Sequence, residues 1–206
     1  MLIAVPDLDA AARGFEELHG LSSVKGGRHA GWGTANRIVP LGDAYVELIT
    51  VVDEPEASGS AFGSWVATGI RSAPGRPLGW VARTDRLDQV VARLGMSASA
   101  GSRTGEDGRV LSWRLAGVEA AAAEPSLPFF VEWGEGTPLP GRASLTHPAG
   151  AARIGHLELT GDAGRVADWL GTAELPIAVG PGAPAVARLT LEADTGTIVI
   201  GAPRAF

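Results

Sequence analysis

The chain repeats one pattern three times, and this repeat limits the possible folds more than any other feature. In each copy a short apolar run is followed by an aspartate, a helical pattern of apolar residues and then a glycine. The three copies are marked by Asp7 and Gly20, Asp85 and Gly95, and Asp162 and Gly171. Aspartate can accept hydrogen bonds from the first N–H groups of a helix, and glycine readily takes the left-handed conformation that ends one. The aspartates lie 78 and 77 residues apart, which indicates a supersecondary unit used repeatedly.

Strand-like runs follow each predicted helix. They cover residues 37–41 and 44–49, 109–115 and 128–133, and 185–192 and 197–200. Each unit is therefore predicted as a strand, a helix and two or three antiparallel strands. We predict an α+β fold with two paired βαβββ modules forming a curved, mixed, mostly antiparallel sheet around a small-molecule cavity. The predicted divisions are a first module at 1–52, a connector or flap at 53–76, a second module at 77–134, a linker at 135–150 and a C-terminal βαββ half-module at 151–206.

Composition excludes several classes of function. The chain has no cysteine, so it has no disulfide, no zinc-thiolate site and no thiol nucleophile. Its net charge of −6 and scattered arginines argue against a nucleic-acid surface. There is no apolar run near the ~20 residues of a membrane span and no glycine-rich phosphate-binding pattern, so we expect no membrane partner and no nucleotide cofactor. A cytoplasmic protein is expected, although the lack of cysteine fits an exported one equally well.

Glu47 is the strongest candidate site residue. It lies in the second strand of a predicted hairpin whose turn is Gly42-Asp43. Alternation places Tyr45, Glu47 and Ile49 on one face and Ala44, Val46 and Leu48 on the other. Both faces are apolar, so both are expected to be covered. A carboxylate buried there costs several kcal/mol unless a metal, an arginine, a proton or a ligand partners it.

Glu132 stands in the corresponding place of the second unit, in the run Phe129-Phe130-Val131-Glu132-Trp133. The same argument makes it the second candidate for a catalytic or metal-binding carboxylate. Its strand ends at Trp133-Gly134, so the side chain can also reach solvent. Without a cation nearby, desolvation would raise the pKa of either glutamate and favour an acid–base role.

The glycine-rich stretch before this hairpin supplies further candidates. His29 can bind a metal or substrate, or it can be an exposed loop histidine. Trp32, Thr34 and Asn36 are predicted to line the pocket mouth, although a tryptophan more often fills a core. Arg37 follows Asn36, so at most one of the two faces inward; Arg37 can neutralise an anionic substrate or pair with Glu47.

Three other histidines have weaker patterns. His156 and Glu158 share a strand face, a spacing that can present both to one ion, so His156 is kept as a candidate binding residue. His147 precedes a proline in the linker and is expected to pack on the sheet. His19 falls in the last turn of the first helix, where its charge would complement the helix dipole.

Several stretches resemble the vicinal oxygen chelate superfamily of glyoxalase and bleomycin-resistance proteins, and more narrowly the glyoxalase-like domain proteins of bacteria. The similarity covers nearly the whole chain. The stretches are IAVPDLDAAARGFEE, GGRHAGWGTANRIVPLGDAYVELI, GWVARTDRLDQVVARL, PFFVEWG and HPAGAARIGHLEL.

The resemblance implies a divalent metal ion (Zn, Ni, Mn or Fe) held by a histidine from the first strand of a module and a glutamate from the last. Glu47 and Glu132 match the two glutamate positions. The first histidine would stand directly before Met1, and Leu78 or Trp80 occupies the region of its counterpart in the second module. Either the true start lies upstream, which the preceding DNA would show, or the protein binds no metal and uses the cup for a ligand.

The function implied by the resemblance is a small-molecule enzyme of lyase or isomerase type. It would act on an oxygenated metabolite with Glu47 as base or metal ligand. The resemblance also makes a homodimer a possible assembly. The alternative is a non-catalytic binding protein that sequesters an apolar compound between Trp32, Tyr45, Trp80 and Phe130. A third option is a degenerate domain kept for dimerisation.

Overall fold

The computed structural model describes residues 1–104, 108 and 110–201. The first module contains five elements, and its two predicted hairpin strands are confirmed. They are strand β1 (Leu2–Ala4), helix α1 (Leu8–His19), and strands β2 (Val24–His29), β3 (Thr34–Leu41) and β4 (Ala44–Val51). The connector forms helices α2 (Glu54–Ser58) and α3 (Ala61–Ser72).

The second module repeats this order, and its first strand is split in two. Its elements are β5 (Pro77–Gly79), β6 (Val81–Arg83), α4 (Leu87–Leu94), β7 (Ala98–Thr104), β8 (Val110–Ala116), α5 (Val118–Ala123) and β9 (Phe129–Trp133). The strand predicted at 109–115 is thus β8; residue 109 lies outside the described residues. A short 3₁₀ turn, Pro140–Arg142, interrupts the linker.

The third module holds β10 (Ala152–Thr160), α6 (Ala163–Leu170), β11 (Ile177–Gly180), β12 (Ala185–Ala193) and β13 (Gly196–Gly201). It contains β11 in addition to the two strands predicted after its helix. Across the ranges that the structure describes, no helix is both long and apolar enough to cross a bilayer.

The first two sheets are wound in the same way. Their strand orders are β2-β3-β4-β1-β5 and β7-β8-β9-β6, and in each the first strand runs parallel to the last. Because β5 joins the first sheet and β6 the second, the single segment Pro77–Arg83 ties the two sheets together. The third sheet has the order β11-β10-β12-β13. Its first strand, β10, pairs with β11 and β12 rather than with the last strand, so this sheet is not a copy of the others. The predicted fold class, paired βαβββ modules with a third module, is confirmed.

Local sequence explains most of the element ends. The Asp7 carboxylate accepts a hydrogen bond from the Ala10 N–H at 2.7 Å, and Gly20 ends α1 with φ 65°. Asp162 caps α6 in the same way through the Arg165 N–H at 3.0 Å. The expectation for Asp85 is wrong: α4 begins at Leu87, two residues later, without a cap from its own loop.

Both faces of β4 are covered, as its apolar pattern predicts. Val46 and Leu48 lie in a core with Phe15 of α1 and with leucines of the third module, such as Leu189. Ile49, on the opposite face, packs in a second core made by α3 and the second sheet. The first sheet is therefore the central layer, and the face that carries Glu47 is turned toward the second module.

Candidate active site

A cavity of about 40 Å³ lies between the facing surfaces of the first two sheets. Five polar side chains line it: His29, Asn36, Tyr45, Glu47 and Arg103. The remainder of the lining is apolar and largely aromatic, including Trp32, Phe62, Trp113, Phe129 and Trp133. The structure thus brings together five of the predicted site residues, His29, Trp32, Asn36, Tyr45 and Glu47, with Thr34 just behind His29 as a sixth.

Glu47 is 7% exposed and is the one carboxylate among the described residues that line this cavity. Its Oε1 accepts a hydrogen bond from Asn36 Nδ2 at 2.6 Å. Burial raises the pKa of the Glu47 carboxyl, while the Asn36 hydrogen bond and the positive charges of the Met1 amino group and Arg103 oppose that increase. A carboxyl whose pKa is raised by burial binds a proton more tightly than an exposed one, which suits it to acid–base chemistry.

Asn36 supports Glu47 at a position that only a small neighbour allows. Its Oδ1 is buried, has no hydrogen-bond partner among the residues that the structure describes, and lies against Gly26, where any β-carbon would overlap it. Tyr45, two residues before Glu47 on the same strand face, keeps its phenolic proton because burial, and then the charge of Glu47, raise the pKa of Tyr45.

His29 is buried, with 3% of its surface exposed, and its Nδ1 lies 2.9 Å from Thr34 Oγ1. Burial, followed by the positive charge of Arg103, lowers the pKa of His29 to about 3. The ring is therefore neutral throughout the physiological range. When the Thr34 hydroxyl donates a hydrogen bond to Nδ1, the imidazole proton is on Nε2. His29 can then donate a hydrogen bond from Nε2 while the ring stays uncharged.

Arg103 lines the candidate site, and sequence reasoning missed it. It is buried, lies on β7 and brings a positive charge that acts on His29, Tyr45 and Glu47. Strand β7 reads Ala-Ser-Ala-Gly-Ser-Arg-Thr and lacks the apolar alternation that marks a half-buried strand. The available signal in the sequence was a single arginine in a run of small residues. In the structure this strand pairs with β8, which carries Trp113.

Aromatic rings close the cavity around these polar groups. The Trp32 and Phe62 ring centroids are 5.0 Å apart, and those of Trp113 and Trp133 are 5.5 Å apart. Edge and tilted contacts of this kind fix ring positions and exclude water. Exclusion of water strengthens every electrostatic interaction of Glu47 and Arg103 inside the cavity.

The structure does not bring Glu132 to Glu47. On β9 the side chains of Phe129, Val131 and Trp133 line the cavity, so Glu132 lies on the opposite face of the strand. There its Oε1 accepts the Leu87 N–H at 3.1 Å, at the start of α4, and its Oε2 pairs with Arg114 Nη1 at 3.0 Å. Glu132 supplies the cap that the loop before α4 does not provide.

Four other predicted site residues also lie away from this cavity. Arg37 points to the outer face of β3, where its Nη1 pairs with Asp9 at 2.9 Å and its Nε donates to Ser23. Phe130 packs beneath α4 with Leu87. His156 lies in the third sheet opposite Thr190. Trp80, at the junction of β5 and β6, donates from Nε1 to the Ser126 carbonyl at 3.0 Å and faces a different cavity.

His147 has the structural role expected of it. Its Nδ1 accepts the Ser22 N–H at 3.1 Å, and its Nε2 lies 2.7 Å from the Pro40 carbonyl oxygen. The two bonds tie the linker to the first sheet. His19 stacks edge-on against Phe15 in the last turn of α1.

The residues around Glu47 do not fit the metal centre that the resemblance implies. Within residues 1–104, 108 and 110–201, no three histidine or carboxylate side chains converge to hold a metal ion. Glu132 is engaged elsewhere, and the positive charge of Arg103 already acts on Glu47. We therefore derive no chemical step from a metal at this site.

Comparison with known proteins places this fold. None of the curated proteins matches the sequence. Among solved structures, a hypothetical protein from Staphylococcus aureus superposes with a TM-score of 0.57 at 13% identity, covering 89% of this chain and 78% of that one. Methylmalonyl-CoA epimerase from Mycobacterium tuberculosis superposes with a TM-score of 0.43 at 18% identity, covering 64% of this chain and 83% of that one. A model of the glyoxalase-like domain matches residues 1–174, and the chain therefore belongs to the glyoxalase-like domain family.

Proposed function

We propose that this protein is an enzyme of lyase or isomerase type that moves a proton on a small oxygenated metabolite, with Glu47 as the general base. The observation that supports this most directly is a buried carboxylate that faces a cavity with aromatic walls, accepts a hydrogen bond from Asn36 and is influenced by the charge of Arg103. Titratable groups in a cleft whose pKa values are shifted are characteristic of catalytic sites.

The proposed step is proton abstraction from a carbon next to a carbonyl group. The Glu47 carboxylate takes the proton, and the electron pair of the C–H bond moves to the carbonyl oxygen as an enolate. The positive charge of Arg103 stabilises the oxygen that becomes negative, and neutral His29 can donate a hydrogen bond to it. Return of the proton to a different face or carbon is an isomerisation; loss of a neighbouring substituent is an elimination.

Exchange of substrate hydrogen with solvent tests this proposal without knowledge of the final product. Small 2-oxo acids and hydroxyketones are incubated with the protein in D₂O, and loss of the C–H signal next to the carbonyl is followed by ¹H NMR. We expect exchange above the uncatalysed rate for at least one compound, reduced on the order of 100-fold or more in Glu47→Gln. Glu132→Gln is the matched control because it changes a glutamate outside the cavity.

Two results would contradict the proposal. One is exchange in Glu47→Gln at the rate of the unchanged protein. The other is the absence of exchange with every compound of the panel.

A non-catalytic binding protein is the second candidate function, supported by the aromatic rings around the cavity. Trp32 and Tyr45 are walls of this cavity, as predicted for a binder, and Trp113 and Trp133 join them. For this function we expect quenching of tryptophan fluorescence by small aromatic compounds and no solvent exchange. Glu47→Gln would then leave the binding of uncharged compounds unchanged.

A further inference from the structure

A second and much larger cavity adjoins the one that contains Glu47. Its volume is about 340 Å³, within the range of about 300 to 1,000 Å³ that is usual for small-molecule sites. The first cavity, at about 40 Å³, admits only a compact group unless its side chains move. Five residues line both cavities, so the two share part of their wall: Tyr45, Val81, Val131, Trp133 and Pro140.

The lining of the second cavity is largely apolar, and all three modules contribute to it. Trp80 comes from the junction of the first two sheets, Leu139 from the linker, and Ile154, Leu157 and Ile177 from the third sheet. Leu175 stands at this cavity with 40% of its surface exposed. An exposed leucine at an apolar cavity gains burial when an apolar ligand covers it.

Charged side chains among the described lining residues are few. Asp43 lies in the turn between β3 and β4, and its Oδ1 accepts Arg142 Nε at 2.9 Å. Arg83, the other, is exposed at the end of β6. The two cavities therefore differ in chemistry as well as in size: one collects polar side chains, and the other consists mainly of apolar surface.

We propose that the two cavities form one bipartite site for an amphipathic substrate, with a compact carbonyl or carboxylate head at Glu47 and Arg103 and an apolar tail in the second cavity. This rests on the proposed function for the identity of the head group. The tail passes Tyr45 and Trp133, which line both spaces. The third module thereby becomes part of the binding site, because it supplies one wall of the tail cavity.

The burial of an apolar tail has a measurable signature. Each methylene group removed from water contributes about 0.8 kcal/mol, which corresponds to a dissociation constant about fourfold lower. Affinity is therefore expected to rise by this factor with each added methylene until the tail cavity is filled.

Equilibrium binding of a chain-length series tests the proposal. The ligands are straight-chain 2-oxo acids of about four to about ten carbons, measured by calorimetry, with straight-chain alcohols of equal length as ligands that lack the head. We expect the dissociation constant of the 2-oxo acids to fall about fourfold per methylene, and the alcohols to bind more weakly at every length. Leu175→Glu places a carboxylate at the tail cavity and should reduce the gain to less than about twofold per methylene.

Leu145→Glu is the matched control. Leu145 is 37% exposed, close to the value for Leu175, but it does not line the tail cavity. Since both side chains are partly exposed, both variants should fold, which thermal unfolding verifies. The control should keep the chain-length dependence of the unchanged protein.

Three results would overturn the bipartite site: affinity that does not depend on chain length, alcohols that bind as tightly as 2-oxo acids, or equal loss of the dependence in both leucine variants. These results are separable from failure of the proposed function, because binding is measured without turnover. Chain-length dependence without solvent exchange would reject the proton transfer and leave the two-part site intact. Solvent exchange without chain-length dependence would reject the two-part site and leave the proposed proton transfer intact.

Discussion

Removal of the Glu132 side chain separates a structural glutamate from a catalytic one. Glu132→Ala loses the acceptor for the Leu87 N–H, an interaction at a helix start worth about 1 kcal/mol. It also loses the pair with Arg114, whose side chain is 41% exposed while that of Glu132 is 24% exposed, so solvent screening limits this contribution to below about 1 kcal/mol. The free energy of unfolding should therefore fall by about 1 to 2 kcal/mol.

Chemical unfolding in urea and thermal unfolding measure this change. For a chain of this size, 1 kcal/mol corresponds to a shift of about 2 to 4 °C, so the midpoint temperature should fall by about 2 to 8 °C. Glu132→Gln keeps an oxygen that can accept the Leu87 N–H and loses only the charge, so its effect should be the smaller of the two. Solvent exchange of substrate should persist in both variants at a temperature where they are folded.

The refuting result is specific. If Glu132→Ala left the midpoint temperature unchanged and abolished exchange, Glu132 would act in the reaction. The assignment of Glu47 as the lone carboxylate of the site would then be wrong.

Three further predictions concern pH and packing. The pKa of Glu47 is higher in the folded than in the unfolded protein. The stability that Glu47 contributes is therefore present below its unfolded pKa near 4.3 and is lost as the pH rises through its folded pKa. In unfolding experiments from pH 4 to 9, Glu47→Gln should gain stability relative to the unchanged protein over that interval. The pKa of His29 is lowered to about 3, so its ring carbon protons should show no titration by NMR between pH 5 and 8. The contribution of His29 to stability should fall by about 1.4 kcal/mol for each pH unit between about 6.5 and about 3, measured as the difference in unfolding free energy from His29→Gln. A midpoint near 6.5 would contradict the burial of His29. Gly101→Ala should lower the free energy of unfolding by about 1 to 3 kcal/mol, because its methyl group would overlap the rings of Trp113 and Trp32. Gly14→Ala, in open space on α1, should raise it by up to about 1 kcal/mol. Equal effects of the two substitutions would contradict the packing against β7.

The parts of the fold that were predictable are those with local physical signals. The Gly42-Asp43 turn was recognisable because the chain needs one residue with positive φ there, and Gly42 takes φ 78°. Glu47 was identified because an acid between apolar residues on both faces of a strand requires a partner. The order of the third sheet had no such signal: β10 lies inside that sheet through long-range pairing with β12.

Arg103 and Glu132 show why the rest of the site was harder to predict. Arg103 gains its role from the strands around it, since Gly27 of β2 leaves room for its side chain where the two sheets meet. Glu132 was assigned to the cavity by aligning two apolar strands, but a strand that is apolar on both faces does not fix its own register. A shift of one residue moves every side chain to the other face, and the sequence alone did not reveal the shift.

The two strand faces that meet at the cavity explain the character of the site. On β4 Tyr45 and Glu47 line the cavity, whereas on β9 the lining residues are Phe129, Val131 and Trp133. The face of the second sheet that lies opposite Glu47 is therefore largely aromatic and carries no acid on β9. The two facing surfaces therefore differ: the first sheet carries the Glu47 carboxyl and its partner Asn36, and the second sheet provides an aromatic wall. Since a second carboxylate at the position of Phe129 would repel Glu47 and a bound anion, this asymmetry favours a single base facing an anionic or enolate oxygen over a chelate with matched acids.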